Sequence, residues 1–251
     1  MPETVDKLYH YTDINSLALI LKSKSIRFGR LDKVNDPTEG QSSDFHSMAP
    51  YIFISSWTAN QFEDLALWNM YTPLMRGVRI EIDLPIFASF SIPKNITNSL
   101  VNAVEYLNFE QGYFIVGAEN KPTKIIYTDD EALLRPTIKA QGGLNLKFLS
   151  IYKRLIWQVE REYRYQLNIV PIDKNIQSTD FADTYSSLIK AETPPPIDNY
   201  LIRIRKKAFH SMKIRLSPKL LPGDRIIVES LIKSFNPTAV IEDSAVYGFI
   251  R

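Results

Sequence analysis

The sequence predicts an α+β fold, and three observations carry that prediction. GVRIEIDL alternates Val78, Ile80, Ile82 and Leu84 with Arg79, Glu81 and Asp83, the period of a half-buried strand. Ile14, Leu17, Ala18 and Leu21 recur at i, i+3, i+4 and i+7, the period of an amphipathic helix. The predicted order runs β-α-β-α-β, then a mixed middle, then a β-rich end. The sustained βαβ alternation of a doubly wound sheet is missing.

Taken in order, LYHYT (residues 8–12) reads as a short aromatic strand, with Thr12 and Asp13 as N-cap types for the helix that follows. That helix ends in KSKS, whose lysines suit a C-terminus. IRFGRL is extended, NDPTEG is turn chemistry and YIFISSWT is a strand. QFEDLALWNMYT is a second helix with Trp68 facing the core. NITNSLVNAVEYLNFEQ looks helical, YFIVG and KIIYTDD look like strands, and DDEALLRPTIKAQ resembles helix up to Pro136. IYKRLIWQVE reads as a helix handing over to the strand EYRYQLNIV. Three consecutive prolines make residues 191–198 a loop. YLIRIRK, MKIRL, DRIIVESLI and AVYGFIR are then mostly strand-like, with one helix among them. The organisation expected is a single domain over 1–251, in which residues 86–150 form a helical insertion or lid.

Composition excludes several classes. With 45% hydrophobic and 23% charged residues, the chain can bury a globular core. A formal charge of +2 is too balanced for a general nucleic-acid or membrane-surface binder, though a local patch stays open. Without cysteine there is no disulfide, thiolate metal site or cysteine nucleophile, which suits a cytoplasmic protein. The start MPETVDKLYHYTD has no charged n-region or apolar h-region, and no run of 18 apolar residues occurs, so neither signal peptide nor membrane span is expected. Only three histidines are present, none at metal-ligand spacing, so no metal site is expected. GxGxxG, GxxxxGK[ST] and GxSxG are all absent.

Three segments carry polar residues that a core pattern does not require: His10 between Tyr9 and Tyr11, Ser55–Thr58 after an apolar run, and Glu160 with Glu162. Each has a plain alternative. His10 can bond a backbone carbonyl at a strand end. Ser56 and Thr58 can cap a helix starting near Gln61. Trp57 and Trp68 can be core, and Asn35 and Asp36 can be turn residues bonding their own backbone. Glu160 and Glu162 can form a solvated face, paired with Arg161 and Arg164. Arg203, Arg205, Lys206 and Lys207 read as protection of an edge strand.

LYHYTDINSLALILKSKSIRFGRLDKVNDPTEG, ISSWTANQFEDLALWNMYTPLMRGVRIEID and YKRLIWQVEREYRYQL together resemble the DUF2971 family, over about a third of the chain. One departure is a usual glycine near the end of the first helix, which is Lys24 or Ser25 here. The family pattern in turn is similar to the ADP-ribosyltransferase superfamily. That resemblance implies a split β-sheet core with helices packed around it, and NAD as substrate. It implies Glu162 and His10 as catalytic residues, Glu162 bonding the ribose 2′-hydroxyl. It also implies a nicotinamide pocket from His10, Tyr11, Thr12, Ser56, Trp57 and Thr58, with Trp57 or Tyr71 as stacking ring. Arg164 would meet a phosphate, Glu160 the acceptor, and Asn35 and Asp36 a substrate loop. Implied partners are a macromolecular acceptor, protein or nucleic acid, and a cognate antitoxin or defence partner in a bacterial or phage conflict. Two other readings stay open: a non-catalytic nucleotide or nucleic-acid sensor using the same cleft, and a hydrolase or phosphotransferase acting on RNA ends.

Overall fold

A computed structural model describes residues 5–92, 96–106, 109–140, 143–172 and 188–250. The fold is mixed α+β, built on one ten-stranded sheet with both parallel and antiparallel pairs. Its strands are β1 (Lys7–Thr12), β2 (Ser25–Arg30), β3 (Ile52–Thr58), β4 (Val78–Asp83), β5 (Tyr113–Gly117) and β6 (Thr123–Lys124). They continue with β7 (Glu162–Pro171), β8 (Asn199–Arg203), β9 (Lys213–Leu216) and β10 (Val240–Glu242). The order is β8-β2-β3-β1-β4-β9-β10, and β7 pairs with β3, β5 and β6.

Near the centre of this sheet, the two edges of β3 are used differently. Along its whole length β3 pairs with β7, from Thr58 opposite Glu162 to Ile52 opposite Asn168. The other edge of β3 is shared. β2 takes it at Phe53 and Ile54, and β1 takes it at Thr58 alone, opposite Tyr9. Between those contacts β1 and β2 diverge, so among the described residues this edge of β3 has no strand neighbour at Ser55–Trp57.

Local chemistry explains the helices. α1 (Ile14–Ser23) starts where Asp13 accepts a hydrogen bond from the Ser16 amide at 2.6 Å. It ends at Lys24, left-handed at φ 54°. This is the region where the DUF2971 pattern carries its glycine. α2 (Leu65–Tyr71) is capped by Asp64, so Ser56 and Thr58 do not cap it, and the start expected near Gln61 moves to Leu65. Asp64 blocks the earlier start because its backbone is extended and its amide is bonded by the Tyr11 hydroxyl at 3.0 Å. Trp68 is fully buried and meets Tyr11 edge-on at 4.8 Å, which pins α2 across β1. α3 (Lys206–His210) follows β8, and α4 (Pro222–Phe235) packs Val228 and Ile232 into the core that holds Leu17 and Leu21 of α1. That core lies against the sheet on Leu8, Phe28, Phe53 and Ile80.

The middle of the chain departs from expectation. The described part of 86–150 is no helical insertion: it contributes β5 and β6 to the sheet, and its α-helices are single turns at Ala103–Tyr106 and Glu131–Leu134. Within NITNSLVNAVEYLNFEQ, Ile96–Ser99 is strand, because Ile96 pairs with Ile92 and Ser99 with Phe90 in a hairpin. Residues 93–95, 107–108 and 141–142 of that stretch lie outside the described residues. Residues 191–198 hold no helix or strand, as the prolines require. Arg203 lies on β8, an end strand of the sheet, and Lys206 and Lys207 begin α3. AVYGFI is a series of turns with Gly248 at φ 80°, and not the expected strand. Among the described residues, no helix is long and apolar enough to cross a membrane.

Candidate functional site

Where β1 and β2 diverge along β3, a cavity of about 60 Å³ opens between β1, β3, β7 and α2. Its walls bring together all three segments singled out above. His10 and Tyr11 come from β1, with Tyr9 beside them. Ser56, Trp57 and Thr58 come from β3, Leu67 and Tyr71 from α2, Glu160 from the turn before β7 and Glu162 from its first position. The expected residues outside these walls are Thr12, Arg164, Asn35 and Asp36. Thr12 is buried opposite Val78. Asn35 is exposed, and Asp36 accepts hydrogen bonds from the amide and hydroxyl of Thr38, closing its own turn.

The divergence of β1 and β2 determines how His10 sits. Its Nδ1 is 2.9 Å from the Ser56 carbonyl, part of the β3 edge that neither β1 nor β2 covers. A carbonyl only accepts, so Nδ1 carries the proton and Nε2 of the neutral ring is an acceptor. Burial pushes the His10 pKa down, which the Ser56 bond only partly offsets, so the ring is neutral at pH 7. The carbonyl contact and a cavity position therefore coexist. Trp57 is 5.0 Å from the His10 ring, and its Nε1 donates to Ser55 Oγ at 2.9 Å, so it is buried wall as well as lining.

Glu160 and Glu162 do not form a solvated face. Both are 4% exposed and Arg164 is 2% exposed. The cause lies in the segment ahead of β7. Leu155–Glu160 is a 3₁₀ turn, Arg161 is left-handed at φ 46°, and the strand begins at Glu162. The reversal turns Glu160 inward while Arg161 stays exposed, so Arg161 is not the partner of either glutamate.

The partners are Lys153, Arg164 and Tyr71. Arg164 Nε and Nη2 meet the two oxygens of Glu162 at 2.5 and 2.8 Å, and the same guanidinium holds Glu39. Lys153 Nζ lies 2.6 Å from Glu160, 3.3 Å from Glu39 and 3.5 Å from Glu162. The Tyr71 hydroxyl donates to the other oxygen of Glu160. Three carboxylates thus share two cations inside the protein, where each interaction is stronger than in water and each unpaired charge costs more.

That surplus separates the two glutamates. Burial pushes Glu162 up, but the charges of Arg164 and Lys153, with hydrogen bonds from Arg164 and Ser56, hold it below the usual carboxylate range. Burial also pushes Glu160 up, and the negative charge of Glu162 adds to it. Lys153 and the Tyr71 hydrogen bond offset only part, so Glu160 stays above that range. Burial and the two glutamates push the Tyr71 hydroxyl far up, so it remains a donor. Two adjacent carboxylates driven apart in this way can act as a fixed anion and a proton carrier. Among the described residues, no group of three or more His, Asp or Glu side chains is arranged to hold a metal ion.

Sequence reasoning missed Glu39, Lys153 and Tyr127. The first two were legible only as the closing Glu of NDPTE and the Lys of YKRL, polar letters inside the resembling blocks. Tyr127, whose hydroxyl accepts the Glu162 amide at 2.8 Å, lies in KIIYTDD, which carried no signal. Comparison of the chain with protein families, curated proteins and solved structures gave no match.

Proposed function

We propose that the chain is an ADP-ribosyltransferase-like protein that uses NAD as substrate, releasing nicotinamide and passing ADP-ribose to a macromolecule or to water. One observation carries this reading: LYHYT, ISSWT and EREYR, far apart in sequence, meet in one cavity where β1 and β2 diverge along β3, with an ionised Glu162 and a neutral His10. The divergence of β1 and β2 along β3 supports the finer fold assignment, an ADP-ribosyltransferase-like split sheet. The chemistry is drawn from the remote similarity of the DUF2971-like pattern to the ADP-ribosyltransferase superfamily, and with it the setting of toxin action or antiviral defence and a cognate antitoxin or defence partner.

The donor set suits NAD. When its N-glycosidic bond breaks, the electron pair leaves with nicotinamide and positive charge builds on the ribose. A carboxylate held ionised stabilises that charge more than it stabilises the ground state. Glu162 would meet the ribose, His10 Nε2 would accept from a ribose hydroxyl or the nicotinamide amide, and Trp57 or Tyr71 would hold the cationic ring by stacking and cation–π attraction. The cavity volume takes roughly two waters, so nicotinamide is larger than the space present and its entry requires the walls to move.

One observation favours a second reading, a non-catalytic nucleotide or nucleic-acid sensor: both oxygens of Glu162 are already held by Arg164. Incubation with NAD separates the two. The enzyme releases nicotinamide and loses that activity with Glu162→Gln; the sensor binds ligand without release, and its binding survives Glu162→Gln.

A further inference from the structure

A second concavity lies beside the cavity, a groove of about 800 Å³ that shares Tyr9 with it. Three links join the two spaces. Tyr9 lines both. Tyr127 lines the groove, and its hydroxyl accepts from the Glu162 amide. Arg161, between the two inward glutamates, lines the groove. A molecule in the groove therefore lies next to the segment that carries Glu160 and Glu162.

The groove has a distinctive chemistry. Its aromatic surface comes from Phe62 and the half-buried Tyr127 and Tyr163, whereas Tyr9 is buried with Arg79 over its ring at 4.5 Å. Phe62 is 71% exposed on a loop where its amide is held by Asn60. Its cations are Lys7, Lys124 and Arg161 against one carboxylate, Asp6. Lys7 is occupied by Glu81 at 2.6 Å, whereas among the described residues Lys124 and Arg161 have no ion-pair partner. Lys124 stands directly across the strand pair from Tyr163, which sets a cation beside a ring. Rings that stack bases and free cations that follow a backbone are the two requirements for holding single-stranded nucleic acid. An acidic peptide would use the cations but leave the rings of Phe62, Tyr127 and Tyr163 idle.

We infer that this groove is an acceptor subsite, and that its acceptor is a base of single-stranded nucleic acid. The inference rests on the NAD-cleaving reading. In the transfer, ribose C1′ loses nicotinamide, which departs with the bonding pair, and C1′ gains a bond to a base nitrogen, which gives its proton to water.

Fluorescence anisotropy with labelled mixed-sequence single-stranded DNA and RNA tests the groove, with a duplex and a poly-glutamate peptide alongside. Single strands bind, and two phosphate contacts weaken that binding about sevenfold between 50 and 200 mM salt. Lys124→Gln with Arg161→Gln, both at exposed positions, removes most of that salt dependence. Phe62→Ala, which removes an exposed ring, weakens binding between about fivefold and 150-fold. Absence of single-strand binding, binding indifferent to these substitutions, or preference for the peptide overturns the inference. Nicotinamide release with water as acceptor is read on the same samples. Release without strand binding overturns the groove assignment alone, and strand binding without release overturns the acceptor role together with the NAD reading.

Discussion

Arg164 grips Glu162 from two positions along the same strand, Nε to Oε1 at 2.5 Å and Nη2 to Oε2 at 2.8 Å, with both side chains almost fully buried. The same guanidinium grips Glu39 from the turn after β2. Arg164 therefore has two carboxylate partners, but only Glu162 reaches the cavity. Glu39→Gln and Glu162→Gln should each destabilise the fold by about 1–3 kcal/mol, below the full cost of breaking a buried pair because one partner remains. In urea melts the two variants behave alike. In nicotinamide release they differ: Glu39→Gln keeps most activity and Glu162→Gln does not. Equal loss in both would make Glu162 a structural anion only.

The two glutamates contribute to stability with opposite signs as pH changes. Glu162 has a lowered folded pKa, so its contribution is present above the unfolded value near 4.5 and is lost as pH falls through the folded value. Glu160 has a raised folded pKa, so the folded state binds its proton first and stability rises as pH falls from neutrality toward 4.5. His10, with its lowered folded pKa, loses stability over the same range, so the Glu160 contribution is read as a difference between variants. In denaturation midpoints, the wild type should gain stability relative to Glu160→Gln as pH falls from 7 toward 4.5, and that relative rise is the contribution of Glu160.

Tyr71 donates to Glu160, which restrains the upward shift of that carboxyl. In Tyr71→Phe the relative stability rise on acidification should begin at higher pH than in the wild type. An unchanged onset would show that the hydroxyl does not bond Glu160 in solution.

Lys24 closes α1 with a left-handed backbone, a conformation that costs a side-chain-bearing residue roughly 1–2 kcal/mol and glycine little. Lys24→Gly should stabilise the protein by about 0.5–1 kcal/mol in urea unfolding, with activity unchanged. Destabilisation would mean that the lysine side chain contributes packing that outweighs the backbone gain.

Parts of this arrangement were legible in the residues, for reasons specific to each. Alternation exposed β4 and the helical period exposed α1, because each buries one face against the core. The same rule misread Glu162 and Arg164. Alternation tells two faces apart but not whether the polar face is wet, and in β7 both faces are covered. Residues 95–111 failed because Ile96–Ser99 is held by pairing with Phe90–Ile92, a non-local preference that overrides the helical one. The convergence of His10, Ser56 and Glu162 was an expectation of the family resemblance, because spacing along the chain does not place three strand ends together. Lys153 and Glu39 stayed hidden because only the folded sheet brings a turn residue and a two-residue strand under β7.

The central claim is that Glu162 lies in an NAD-cleaving site and is not merely the counter-ion of Arg164. The most direct measurement is nicotinamide released from NAD by the wild-type protein and by Glu162→Gln, with a cell extract supplying acceptors and the folded state of each checked by thermal unfolding. The account predicts release by the wild type and a loss of at least about 100-fold in a folded Glu162→Gln protein, the scale expected when transition-state charge stabilisation is removed. A folded wild type that neither binds NAD nor releases nicotinamide, or a Glu162→Gln protein that releases it at the wild-type rate, would contradict it.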